Sequence, residues 1–226
     1  MRRLACVALL AATLPLYAAD TAAEKTRAAE KEALQKVGEF VGQWNANGTA
    51  KQAGRAAVWK ETVTVGWKFE KDAAWLALAI KDGKFYDAGA IRYDTAKKRY
   101  TLTLTDKAKH STTYDGELKR GKLTFTRTDP ATTDVERVTM TTISDGARMV
   151  LKSEVQAKGK GLFDEQFTLA ANKEGESFAG GGRKKPECVI TGGAGTMAVS
   201  YMGKTYYVCC SGCREEFEAN PAKYAK

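Results

Sequence analysis

Thr62-Val63-Thr64-Val65-Gly66-Trp67-Lys68-Phe69 decides the fold of this 226-residue chain. Its apolar side chains fall at every second position, the period of a strand with one face buried and the other in water. Tyr100, Leu102 and Leu104 alternate in the same way with Thr101, Thr103 and Thr105. Leu123 and Phe125 alternate with Lys122, Thr124 and Thr126, and Val138 and Met140 with Thr139 and Thr141. Further strands are predicted over 75–80, 85–93, 111–118, 148–156 and 163–170. Asp82-Gly83, Asp115-Gly116, Arg120-Gly121, Asp145-Gly146 and Lys160-Gly161 read as tight turns. Residues 43–175 therefore read as one mainly β domain of about ten short strands without an intervening helix. Antiparallel up-and-down connection is the simplest topology. Closure into a β-barrel leaves no edge exposed, with an open sandwich as the alternative.

Residues 20–42 read as a short N-terminal helix. Glu24, Lys25, Arg27, Glu30, Lys31, Glu32 and Lys36 give it a polar face, and Leu34, Val37 and Val41 recur at helical spacing near its end. That distribution predicts a helix packing its last turns against the β region. Ahead of it, Met1-Arg2-Arg3 is a positive n-region and the run from Leu4 to Leu16 is too short to span a bilayer as a helix. Small residues at Ala18 and Ala19 complete the pattern of a cleaved signal peptide over 1–19. Cys6 sits too early in the apolar run for a lipoprotein. The expectation is an exported protein, periplasmic or extracellular, with no membrane segment after cleavage.

Composition narrows the function. The chain is 43% hydrophobic and 28% charged, the profile of a folded domain. The formal charge of +9 is spread along the chain, not gathered in a stripe, which argues against nucleic acid as a partner. A single histidine, His110, excludes a multi-histidine metal site. No paired-carboxylate, nucleophile-base or phosphate-cradling pattern occurs, so the chain reads as a non-enzyme. Trp44, Trp59, Trp67 and Trp75 would either fill the barrel or line a ligand cavity.

Phe40-Val41-Gly42-Gln43-Trp44-Asn45-Ala46-Asn47-Gly48 is similar to the Gly-x-Trp opening of lipocalin-like and nitrobindin-like barrels. The resemblance implies a Trp44 that closes one barrel end beneath the N-terminal helix. The haem of nitrobindin-like barrels is held by a late-chain histidine, and the late strands here have none, so no haem is expected.

Residues 176–186, with Gly180-Gly181-Gly182 and Arg183-Lys184-Lys185, read as a flexible linker. Beyond it, Cys188, Cys209, Cys210 and Cys213 cluster in about forty residues, too few to build a core without a metal or disulfides. Ala198–Tyr201 and Thr205–Val208 are predicted to form a hairpin, followed by a helix from Ser211-Gly212 to Glu218. That places Cys213 in the first helical turn, where the helix dipole favours a thiolate. Converging thiolates suit soft or borderline cations, zinc or copper(I). Two disulfides in any of three pairings, or thiol exchange at Cys210-Ser211-Gly212-Cys213, are the other readings of the same residues.

Residues 187–226 resemble the YHS domain and the related TRASH metal-binding modules. The resemblance is carried by Tyr201-Met202-Gly203-Lys204-Thr205-Tyr206-Tyr207-Val208-Cys209-Cys210-Ser211-Gly212-Cys213, by Phe217, and by Asn220-Pro221-Ala222-Lys223-Tyr224. Twenty residues separate Cys188 from Cys209 and three separate Cys209 from Cys213, as in the TRASH pattern. The resemblance implies Cys188, Cys209 and Cys213 as metal ligands, with Cys210 a fourth ligand or a core residue. Thr191 stands before Gly192 where many YHS domains have a cysteine. The resulting expectation is capture, sensing or trafficking of copper or zinc, with a protein partner docking through the C-terminal module. The alternative is a barrel that carries a small apolar ligand and bears a structural or docking tail.

Overall fold

The computed structural model describes residues 16–52, 54–70, 73–175 and 186–225. Most of the expected signal peptide, residues 1–15, and nearly all of the expected linker, residues 176–185, lie outside the described residues. A helix α1 (Leu16–Gln35) precedes ten strands: β1 (Gly42–Gln52), β2 (Arg55–Glu70), β3 (Ala73–Lys81), β4 (Tyr86–Asp94), β5 (Arg99–Asp106), β6 (Ser111–Lys119), β7 (Lys122–Thr128), β8 (Val135–Ile143), β9 (Arg148–Gln156) and β10 (Asp164–Lys173). Each strand pairs antiparallel with the next, and β1 also pairs with β10, so the sheet closes into the up-and-down barrel that the alternation predicts. Among the described residues, no helix is long and apolar enough to cross a membrane.

The apolar positions of the period-two pattern fill the barrel. Val65, Trp67, Leu76, Ile91, Leu102, Leu123, Phe125 and Met140 are all buried. Each side chain of this size contributes about 1.5–3 kcal/mol on leaving water.

Two sequence expectations need correction. The helix stops at Gln35 rather than running to 42, and the chain turns through a 3-10 segment, Gly38–Phe40. The barrel requires this, because β1 starts pairing with β2 at Gly42 opposite Val65. Asp115-Gly116 is not a turn but lies inside β6, paired with β5 and β7. Gly116 is small for packing: a Cβ there would sit 2.2 Å from the Phe125 ring, which lies across the strand.

The two barrel ends are closed differently. At one end α1 lies across β3 and β4. Its Leu34, the following Val37, and Phe40 are buried. The Tyr100 hydroxyl donates to the Ala33 carbonyl at 2.8 Å, the Ala74 N–H donates to the Glu30 carboxylate at 3.0 Å, and the Trp44 indole N–H donates to the Phe40 carbonyl at 2.8 Å. At the other end Trp59, Phe85 and Phe167 pack ring to ring. The Trp59 indole N–H donates to buried Glu61 at 2.6 Å. The cavity behind these rings measures about 30 Å³, room for about one water molecule. Trp44 and Trp67 are therefore core, and Trp59 is a plug. Trp75 faces outward beneath the Arg92 guanidinium, 4.1 Å from its ring centroid.

Candidate metal centre

After Pro186 the chain forms a loop, a hairpin of β11 (Met197–Tyr201) and β12 (Lys204–Val208), a helix α2 (Ser211–Ala219) and a last turn α3 (Pro221–Tyr224). Val199 and Val208 point inward, and Phe217 of α2 packs between the rings of Tyr201 and Tyr206. The loop is set by backbone bonds: the Cys188 N–H donates to Gly193 at 2.7 Å, the Gly192 N–H to Cys188 at 2.8 Å, and the Val189 N–H to Tyr207 at 3.0 Å. Those bonds hold Cys188 against the end of β12. Cys209 leaves that strand, Cys210 caps α2, and Cys213 sits in the first turn of α2.

The sulfurs of Cys188, Cys209 and Cys213 all lie within 4.8 Å of one another. Those of Cys209 and Cys213 are 3.5 Å apart. Thiolates about 2.3 Å from a shared ion stand roughly 3.8 Å from each other, so the trio fits a soft cation in spacing as well as in donor chemistry. Cys188 and Cys213 are buried and Cys209 is half-buried. All four cysteines of the segment are free thiols.

Crowding polarises the thiols. Cys188 is held well below the ordinary thiol range by hydrogen bonds from Cys209 and Cys213. Cys210 is lowered by hydrogen bonds from the same two. Cys209 is pushed up by its bonds to Cys188 and Cys210, and Cys213 by its bonds to Cys188, Cys209 and Cys210. The helix start therefore does not by itself make Cys213 the favoured thiolate, as its position in the sequence suggests. Hydrogen bonds to the three neighbouring thiols, followed by burial, hold Cys213 in its protonated form despite its place at the helix start.

Thr191 is buried with its hydroxyl in contact with the Cys209 sulfur at 3.5 Å. Either atom can donate across that contact, which lies where the YHS resemblance implies a cysteine. Cys210 borders the trio, but its sulfur also accepts the Trp67 N–H of β2 at 3.3 Å.

That contact places the module on the barrel. β2 outruns β1: pairing between them ends at Val65, while β2 continues to Glu70. The N-terminus of α2 covers this overhang, with Cys210 on the Trp67 N–H and Gly212 against the Trp67 carbonyl. A Cβ at 212 would lie 1.6 Å from that oxygen, so only glycine admits the approach. The helix α1 holds the other flank through Arg27–Glu216 at 2.9 Å and through Gln35, whose amide donates to the Thr191 carbonyl at 2.6 Å.

Sequence reasoning missed Trp67, Gly212, Arg27, Lys31 and Gln35 as neighbours of the cysteines. The one signal available was the four-residue spacing of Arg27, Lys31 and Gln35, which shares a helix face without revealing its partner. His110 lies in the β5–β6 loop, exposed, with Nδ1 3.4 Å from Asp106.

No curated protein matches the chain in sequence. Among solved structures, one described as the crystal structure of Rv2717c from M. tuberculosis is similar, at 14% identity and a TM-score of 0.41, covering 63% of this chain and 97% of that chain. In the C-terminal module, residues 194–226 match the YHS domain family.

Proposed function

We propose that this is an exported protein that captures or passes on copper or zinc outside the cytoplasm, holding the ion through Cys188, Cys209 and Cys213. The observation that carries the reading is the meeting of three sulfurs, two of them buried, within 4.8 Å. The YHS match over 194–226 supports metal binding independently of that geometry. Export rests on the n-region, the short apolar run and the small residues of 1–19. When bound, a soft metal ion would fasten the loop, the end of β12 and the start of α2 together. Thr191 would hydrogen-bond the Cys209 sulfur, and Cys210 would keep α2 on the barrel. In the trafficking form of this reading, a protein partner takes the ion from the module.

The carrier reading of the barrel has less support. A cavity of about 30 Å³ is an order of magnitude below the roughly 300–1,000 Å³ of ordinary ligand pockets. The test is fractionation of the expressing cells, followed by elemental analysis of protein purified without chelator. The reading predicts a processed chain outside the cytoplasm with about one copper or zinc per molecule, and loss of that metal in Cys188→Ser and Cys213→Ser. A cytoplasmic chain, or metal retained by both variants, contradicts it.

A further inference from the structure

Arg27, Lys31 and Gln35 lie one turn apart on the same face of α1. The outer two are tied to the C-terminal module, Arg27 to Glu216 and Gln35 to the Thr191 carbonyl. Lys31 is held between them, half-buried, with Nζ 6.0 Å from the centroid of the Tyr224 ring. Among the described residues no carboxylate lies within ion-pair distance of it. Glu216, the one carboxylate that acts on it, is already engaged by Arg27 and by the Tyr224 hydroxyl. A half-buried ammonium without a carboxylate partner is costly unless another negative charge compensates it. Burial lowers the Lys31 pKa, and Lys223 lowers it further, while Cys213, Glu216 and Cys188 oppose that shift wherever they carry charge. In the empty site Cys188 is the thiol of the trio held as a thiolate, and when a metal ionises all three the cluster supplies the negative charge that Lys31 lacks.

The consequence concerns which metal the site prefers. Three thiolates around a monovalent cation carry a net charge of −2, and around a divalent cation −1. Whatever the protonation of the empty site, it is the same starting point for both metals. It cancels when the two affinities are compared. A fixed positive charge beside the site therefore favours the monovalent complex over the divalent one by the interaction of one full unit charge.

We propose that Lys31, reaching in from the N-terminal helix, is a specificity-determining residue that biases the Cys188–Cys209–Cys213 site toward a monovalent soft cation such as copper(I) and away from zinc. This rests on the metal-binding reading above and deepens it. It also gives the docking of the module against α1 a chemical purpose, since the module alone does not contain this charge.

The test is a pair of competition titrations on the full reduced chain without oxygen, one with copper(I) and one with zinc, each against a chromophoric chelator of known affinity. They are run on the parent and on Lys31→Met, Lys31→Gln and Lys31→Arg. Removing the charge lowers the ratio of copper(I) to zinc affinity by about tenfold, the effect of one unit charge across a partly buried site. Lys31→Arg restores the ratio. Two neutral variants of different shape guard against a folding defect in either. An unchanged ratio in both neutral variants, with the parent binding metal, overturns the role of Lys31 alone. A parent chain that binds neither metal overturns the metal-binding reading itself.

Discussion

The barrel and the C-terminal module solve the same problem of stability by different means. The barrel closes ten strands on a continuous apolar interior and seals both ends, one with α1 and one with Trp59, Phe85 and Phe167. The module has a two-stranded sheet, two short helices and few buried side chains: chiefly Ile190, Val199, Val208 and Phe217 with its cysteines. A segment of that size is marginal alone. Here it leans on the barrel at the β2 overhang, on α1, and on whatever its sulfurs hold. The difference teaches that the module is a fitted part and not a free tether. Its docking also relieves the barrel of an exposed strand edge at residues 66–70.

The strongest break in the comparison is aimed at the barrel. Trp44→Ala empties a fully buried position at the α1 end and costs about 3–5 kcal/mol. Chemical denaturation of the apo chain would show this as an early loss of the whole barrel. Next comes the joint. Gly212→Ala places a methyl on the Trp67 carbonyl and costs about 2–4 kcal/mol of docking. Hydrogen exchange should then quicken at Trp67 and through α2 while β5 to β9 keep their protection. Tyr100→Phe removes the hydroxyl bond to the Ala33 carbonyl and costs about 1 kcal/mol, seen as a small fall in melting temperature. Lys68→Ala deletes the exposed pair with Glu215 at 3.4 Å. It should change stability by about 0.5 kcal/mol or less, which confirms that backbone and sulfur contacts, not surface charge, hold the joint.

Much of the barrel was legible because alternation is a local signal. Val63 to Phe69 announces its buried face without reference to any partner, and the turns at Arg120-Gly121 and Asp145-Gly146 fall between strands as read. Asp115-Gly116 misled because the same dipeptide serves two purposes, and only the partner strand shows that Phe125 needs the space. The cysteine cluster was legible from spacing, since hairpin and helix ends bring Cys209 and Cys213 together by local geometry. Its setting was not. Trp67 and Cys210 are 143 residues apart, and nothing in either segment encodes that β2 would outrun β1. Lys31 reads in sequence as one of several charges on a solvated helix face. Only the docked module makes it a neighbour of the thiols.

The most direct test of the central claim is a copper(I) titration of the reduced full chain beside its Cys213→Ser variant, with hydrogen exchange followed across both regions. The account predicts one equivalent bound by the parent, with slower exchange confined to the loop at 188–195, β12 and α2, and weak or no binding by the variant. Equal stoichiometry in both, or metal-dependent protection appearing in the barrel strands instead of the module, would contradict it.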